Sequence, residues 1–149
     1  MRNLTKYNED LSIPRKKDVE ERSTATNLEN GAGVGALKQA GAAAATGANA
    51  TAFGSGTSAS AASAHAEGNG AVASGSASHA QNDGTKATGD YSHAEGNNTI
   101  ASSESQHVQG KYNIEDTKNK YAHIVGNGTD STKSNAHTLD WNGNAWFAG

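Results

Sequence analysis

Every histidine of this 149-residue chain falls on one lattice: His65, His79, His93, His107, His123 and His137 are separated by 14, 14, 14, 16 and 14 residues. Such spacing marks a chain assembled from one short unit, which buries its apolar side chains by stacking copies rather than by wrapping a single core. One period before His65 stands Thr51, in ATAFG, and two periods before it stands Leu37, in ALKQA, so earlier copies exist without the imidazole.

Aligning the copies gives columns with physical content. Immediately before the histidine come Ala50, Ala64, Ser78, Ser92, Gln106, Ala122 and Ala136, and immediately after it Ala52, Ala66, Ala80, Ala94, Val108, Ile124 and Thr138. These small positions form one face of an alternating strand. Three past the histidine come Gly54, Gly68, Asn82, Gly96, Gly110, Gly126 and Asp140, residue types that tolerate positive φ and so predict a tight turn closing each strand. A second short strand is expected where Ala59, Ala73, Ala87 and Ala101 share one column and Thr57, Thr85, Thr99 and Thr129 another; a further turn is expected at Gly33, Gly47, Gly75 and Gly89.

A 14-residue unit of two strands and two turns is one coil of an all-β solenoid, whose coils satisfy each other's backbone N–H and C=O groups. Composition agrees: 27 residues are Ala, and Leu, Ile, Val and Phe together number only 16. A conventional core is excluded, whereas a narrow interior needs nothing larger than Ala, Ser and Thr. The columns place about eight coils between Gly31 and Asn144, roughly 35 to 40 Å at ~4.8 Å per coil. The 16-residue step holds Glu115 to Lys120, a charged excursion expected in an exposed loop.

Charge divides the chain into a charged arm (1–30), the repeats (31–144) and a short tail (145–149). The arm holds 12 charged residues, against 6 in residues 31–100. It suits attachment to another component, and Lys16 to Asn30 admits a short helix that would be marginal alone. There is no cysteine, and no apolar run approaches the ~18 residues of a membrane span. A net charge of −3 gives no reason to expect nucleic acid or membrane insertion.

The strings SAHAEG, ATGDYSHAEG and YSHAEGNNTIAS resemble the head repeats of trimeric autotransporter adhesins (the YadA-like head), in the SHAEG variant found in phage and prophage tail-fibre proteins. The resemblance is close from about Ala45 to Gly110 and less regular to Asn144. It implies a left-handed parallel β-roll and a homotrimer. The start, YNEDLSIPRKKDVE, is similar to leader segments of prophage structural proteins. The end, NAHTLDWNGNAWFAG, resembles a fibre segment that precedes a further C-terminal region.

In that family the histidine position and the position two beyond it face the trimer axis. Here they read His65, His79, His93, His107, His123 and His137, and Phe53, Glu67, Gln81, Glu95, Gln109, Val125 and Leu139. The resemblance therefore implies a polar axial column closed by apolar ends at Phe53, Val125 and Leu139. Three expectations follow: hydrogen bonding between chains along the axis; no required cofactor; and, as the sharper alternative, ion capture by His65, His79, His93 and His107. The functions implied are a non-enzymatic tail-fibre segment of a virion, binding a host receptor or glycan and joined upstream through residues 1–30, or the head of a bacterial surface adhesin. A glycan-cleaving spike would need paired carboxylates, and none stands outside the repeat. An ice-binding array on the Thr column is weakened by Ala71, Asn113 and Gly143, and GAGVG lacks the Lys-Ser/Thr of a phosphate loop. Trp141, Trp146 and Phe147 are expected to cap the solenoid or pack on a further domain.

Overall fold

A computed structural model describes residues 28–39 and 43–148. Most of the arm, including the candidate helix up to residue 27, lies outside the described residues, while Leu28–Asn30 are extended rather than helical.

The repeat folds as an all-β parallel solenoid. One wall is a ten-stranded sheet made of β1 (Leu28–Asn30), β2 (Leu37–Gln39), β4 (Thr51–Ser55), β6 (His65–Asn69), β8 (His79–Asp83), β10 (His93–Asn97), β12 (His107–Lys111), β13 (Tyr121–Asn127), β14 (Asn135–Asp140) and β15 (Ala145–Phe147). The other wall is a five-stranded sheet of two-residue strands, β3 (Ala44–Ala45), β5 (Ser58–Ala59), β7 (Val72–Ala73), β9 (Lys86–Ala87) and β11 (Ile100–Ala101). From β2 to β13 the long strands pair parallel and in repeat register, Thr51 on His65, His65 on His79 and His79 on His93.

About six turns form in this way rather than eight. At the N-terminal end β1 runs antiparallel to β2, and at the C-terminal end β13, β14 and β15 form an antiparallel meander. The 14-residue spacing of His123 and His137 therefore does not mark another coil. Residues 129–134 turn the chain back, beginning with reciprocal Thr129 and Thr132 backbone hydrogen bonds of 2.7 and 3.2 Å.

The interior is as narrow as the composition requires. Ala52, Ala66, Ala80 and Ala94 are fully buried at 0% exposure, as are Val108 and Ile124 in the same column. Ala59, Ala73, Ala87 and Ala101 face them from the opposite wall, and Thr57, Ala71, Thr85 and Thr99 fill the flank. These Thr side chains are buried, which removes them as an ice-binding surface; Thr129 is exposed and lies beyond the last coil.

Both expected turn columns keep their glycines for reasons that differ. Gly54, Gly68, Asn82, Gly96 and Gly110 all have positive φ, between 79° and 112°, but they lie inside the long strands, which run one residue beyond the expected turn position in β4, β6 and β8. Gly126 and Asp140 lack positive φ because their strands join the antiparallel meander. The column of Gly33, Gly47, Gly75 and Gly89 has no positive φ either. There a Cβ would collide with backbone of the following coil, so glycine is required for close stacking.

The 16-residue step closes the interior instead of merely looping out. Asp116 is buried, and its carboxylate accepts from Lys118 N (3.1 Å), Lys120 N (2.8 Å), Tyr121 N (2.8 Å) and the Gln106 amide (3.2 Å). Gln106, fully buried in a column otherwise filled by Ala and Ser, also donates to Tyr121 O at 2.9 Å. The Asn113 side chain accepts from Ile100 N (2.8 Å) and donates to Ile100 O (3.1 Å), standing in for the strand that would have followed β11. Glu115, Thr117, Lys118, Asn119 and Lys120 are exposed, as a charged loop should be.

Candidate functional site

Alternation along each long strand turns one set of side chains into the interior and sends the histidine and the residue two beyond it to the outer face of the ten-stranded sheet. In-register stacking then places all six imidazoles in one column. Successive ring centroids are 4.7, 4.8, 4.8, 5.1 and 5.4 Å apart, and His79, His93 and His107 lie nearly parallel, at interplanar angles of 8° and 12°. The column survives the reversal of β14 because an antiparallel strand keeps the period of two. His137 sits opposite Val125, and Leu139 opposite His123.

The ends are apolar on one strand more than expected. Phe53 meets His65 edge-on at 6.2 Å, and Phe147 lies 4.5 Å from His137 at the far end. Val125 and Leu139 are half-buried beside the last two imidazoles. Phe147 thus extends the column rather than capping the interior. Trp146 is exposed and lines a cleft of about 540 Å³ with Ile114, Tyr121 and Asp140; Trp141 donates to Asn119 Oδ1 at 3.0 Å.

Polar partners fill part of the neighbouring column. Glu67 lies between two imidazoles, with His65 Nε2 at 3.7 Å and His79 Nε2 at 3.9 Å. Glu95 accepts from the Gln81 amide at 2.7 Å and stands 3.4 Å from His107 Nε2. Gln109 is half-buried in the same column. His65 Nδ1 is held 2.9 Å from Thr51 Oγ1, so the hydroxyl that replaces histidine in β4 anchors the first ring.

Two electrostatic features follow from this packing. Burial first, and the adjacent imidazoles second, hold His79, His93 and His123 below the ordinary imidazole range, while Glu67 and Glu95 partly offset this at His79 and Glu95 at the other two. In addition, Nε2 of His65, His79, His93 and His107 is shielded from solvent without a hydrogen-bond partner. Four such atoms in register are unusual for a finished surface, because shielded polar atoms are normally satisfied.

Sequence reasoning placed the imidazole column, the alternating Glu and Gln, and Phe53, Val125 and Leu139 on the same outer face, where the structure has them. It missed Phe147 as a terminus of the column, for which the only signal was an aromatic in an alternating AWF string. It also missed a second ladder beside the strand ends, where Asn69 and Asn97 donate to the two oxygens of Asp83 at 2.7 and 2.8 Å. Compared with known protein families, curated proteins and solved structures, the chain matches none.

Proposed function

We propose that this chain is a non-enzymatic segment of a homotrimeric fibre of a phage or prophage tail, serving in host attachment as shaft or receptor-binding surface. The observation that carries the reading is the column of four shielded, unpartnered imidazole nitrogens beside half-buried Glu and Gln. A face of this kind is completed by groups supplied from outside the chain, and a threefold arrangement of left-handed rolls presents Gln and Glu of two neighbours to each histidine level. Apolar Phe53 at one end and Val125 and Leu139 at the other would then close the axis against water. Receptor contacts in this arrangement fall on outward side chains, and residues 1–30 join the segment to an upstream part of the virion.

The repeat strings serve equally the head of a bacterial surface adhesin, which shares the trimeric axis and differs in what it is anchored to. Sedimentation equilibrium should give a mass about three times 15.2 kDa. A stable monomer at micromolar concentration overturns the axial reading. Binding of the purified trimer to bacterial cells, against binding to extracellular matrix, separates the two settings.

A further inference from the structure

We infer that His65, Glu67 and His79 form a binding site for a divalent transition-metal ion of the zinc class, built entirely within one chain. One ligating atom from each of the three lies within 4.8 Å of the others, half-way up the outer face where β6 and β8 stack. Around a zinc ion with metal–ligand distances of ~2.0–2.1 Å, tetrahedral donors stand roughly 3.3–3.4 Å apart. Glu67 Oε2 is 3.7 Å from His65 Nε2 and Glu67 Oε1 is 3.9 Å from His79 Nε2, so the donors stand somewhat wider than a bound ion requires. These separations are too long for hydrogen bonds, and the three donors must draw together to hold an ion.

The ligand chemistry fits as well as the spacing. Two imidazoles and one carboxylate select zinc-like ions over magnesium or calcium, which prefer oxygen donors throughout. Within the chain both Nε2 atoms are shielded and have no hydrogen-bond partner, so an ion displaces no intrachain bond. Thr51 Oγ1, 2.9 Å from His65 Nδ1, supplies the outer contact that metal-bound histidines commonly have. With the proton on Nδ1, that contact is satisfied and the lone pair of Nε2 faces Glu67.

The coil two repeats on shows why a single such cluster forms among the described residues. Glu95 has one oxygen occupied by the Gln81 amide at 2.7 Å and only His107 Nε2 near the other, at 3.4 Å. Its carboxylate is engaged within the ladder, whereas Glu67 faces two nitrogens from successive coils.

The test is calorimetric titration of the full chain with zinc chloride at pH 7.5, after removal of metal with EDTA. One zinc per chain is expected, together with a rise in melting temperature. Outer-shell substitutions alone cost about ten- to a hundredfold in metal affinity. Glu67→Gln and His79→Ala, which change partly exposed side chains, should therefore each weaken binding by at least about tenfold, and Glu95→Gln should leave it unchanged. Affinity unaffected by Glu67→Gln and His79→Ala overturns the site, as does one zinc per three chains, which would place the ion on a shared axis. A monomer that binds one zinc would refute the trimer and leave this site standing.

Discussion

Replacing Asp116 by alanine should destabilise the solenoid far more than any other change in its loop. The carboxylate holds four donors, of which Lys118 N and Lys120 N belong to exposed residues and can turn to water. The Gln106 amide, fully buried, and Tyr121 N are less easily rehydrated. A hydrogen bond to a charged group contributes about 1.5–3 kcal/mol, and leaving a buried donor unsatisfied costs about 1–3 kcal/mol. Counting only the Gln106 and Tyr121 contacts, Asp116→Ala should cost about 3–6 kcal/mol. Asp116→Asn keeps the shape but turns an amide N–H toward one set of donors, and should cost about 1–3 kcal/mol by the same reasoning. Urea unfolding followed by circular dichroism gives the total, and hydrogen exchange should show the amides of residues 118–121 losing protection before those of β6 and β8. A midpoint shift worth less than about 0.5 kcal/mol in Asp116→Ala would refute the claim that this residue closes the coil stack.

Other outcomes follow from the same geometry. Ala80→Ile should cost about 1–3 kcal/mol by overpacking a site with 0% exposure, measured by the same urea midpoint. Gly75→Ala should be much worse than Gly70→Ala, because its Cβ would strike the backbone at Gly89 and Asp90, whereas Gly70 has open space and a φ of +65° that costs only about 1–2 kcal/mol. Gly70→Asn should recover most of the smaller loss, since Asn98 occupies the equivalent position with φ +51°. In EDTA, stability should fall on acidification from pH 8 to pH 5. His79, His93 and His123 are held below the ordinary imidazole value of 6.5, so the unfolded chain takes up their protons first, and the loss sets in as pH drops through 6.5 toward the lowered folded values. A melting temperature constant over that range would contradict the packing described for these rings.

The coil was legible because a period of 14 and a period of two operate together, and each assigns a residue to a wall and a face. Ala52, Ala66, Ala80 and Ala94 could be placed inside, and the histidines outside, without coordinates. Strand direction was not legible at the end of the chain. His137 keeps its phase in a reversed β14, since alternation is the same read in either direction, and only the irregular residues 129–134 hinted at the turn. Interior closure was visible in principle: Gln106 and Asn113 are large polar residues in columns of Ala, Ser and Thr. Their partners, Asp116 and the Ile100 backbone, depend on loop geometry that no periodicity encodes.

The antiparallel strands at the two ends have a consequence for how length is set. Between β1 and the meander of β13, β14 and β15, every interior rung offers the same edge that it receives, with His65 on His79 repeated as His79 on His93. Removing residues 79–92 would bring His65 directly against His93 with every column still matched. The molecule is therefore a ruler graduated in steps of about 4.8 Å. Duplication or loss of whole 14-residue blocks changes its reach while leaving both terminal fittings as they were, whereas a gain or loss of any other size must be absorbed in a loop such as that of Asp116.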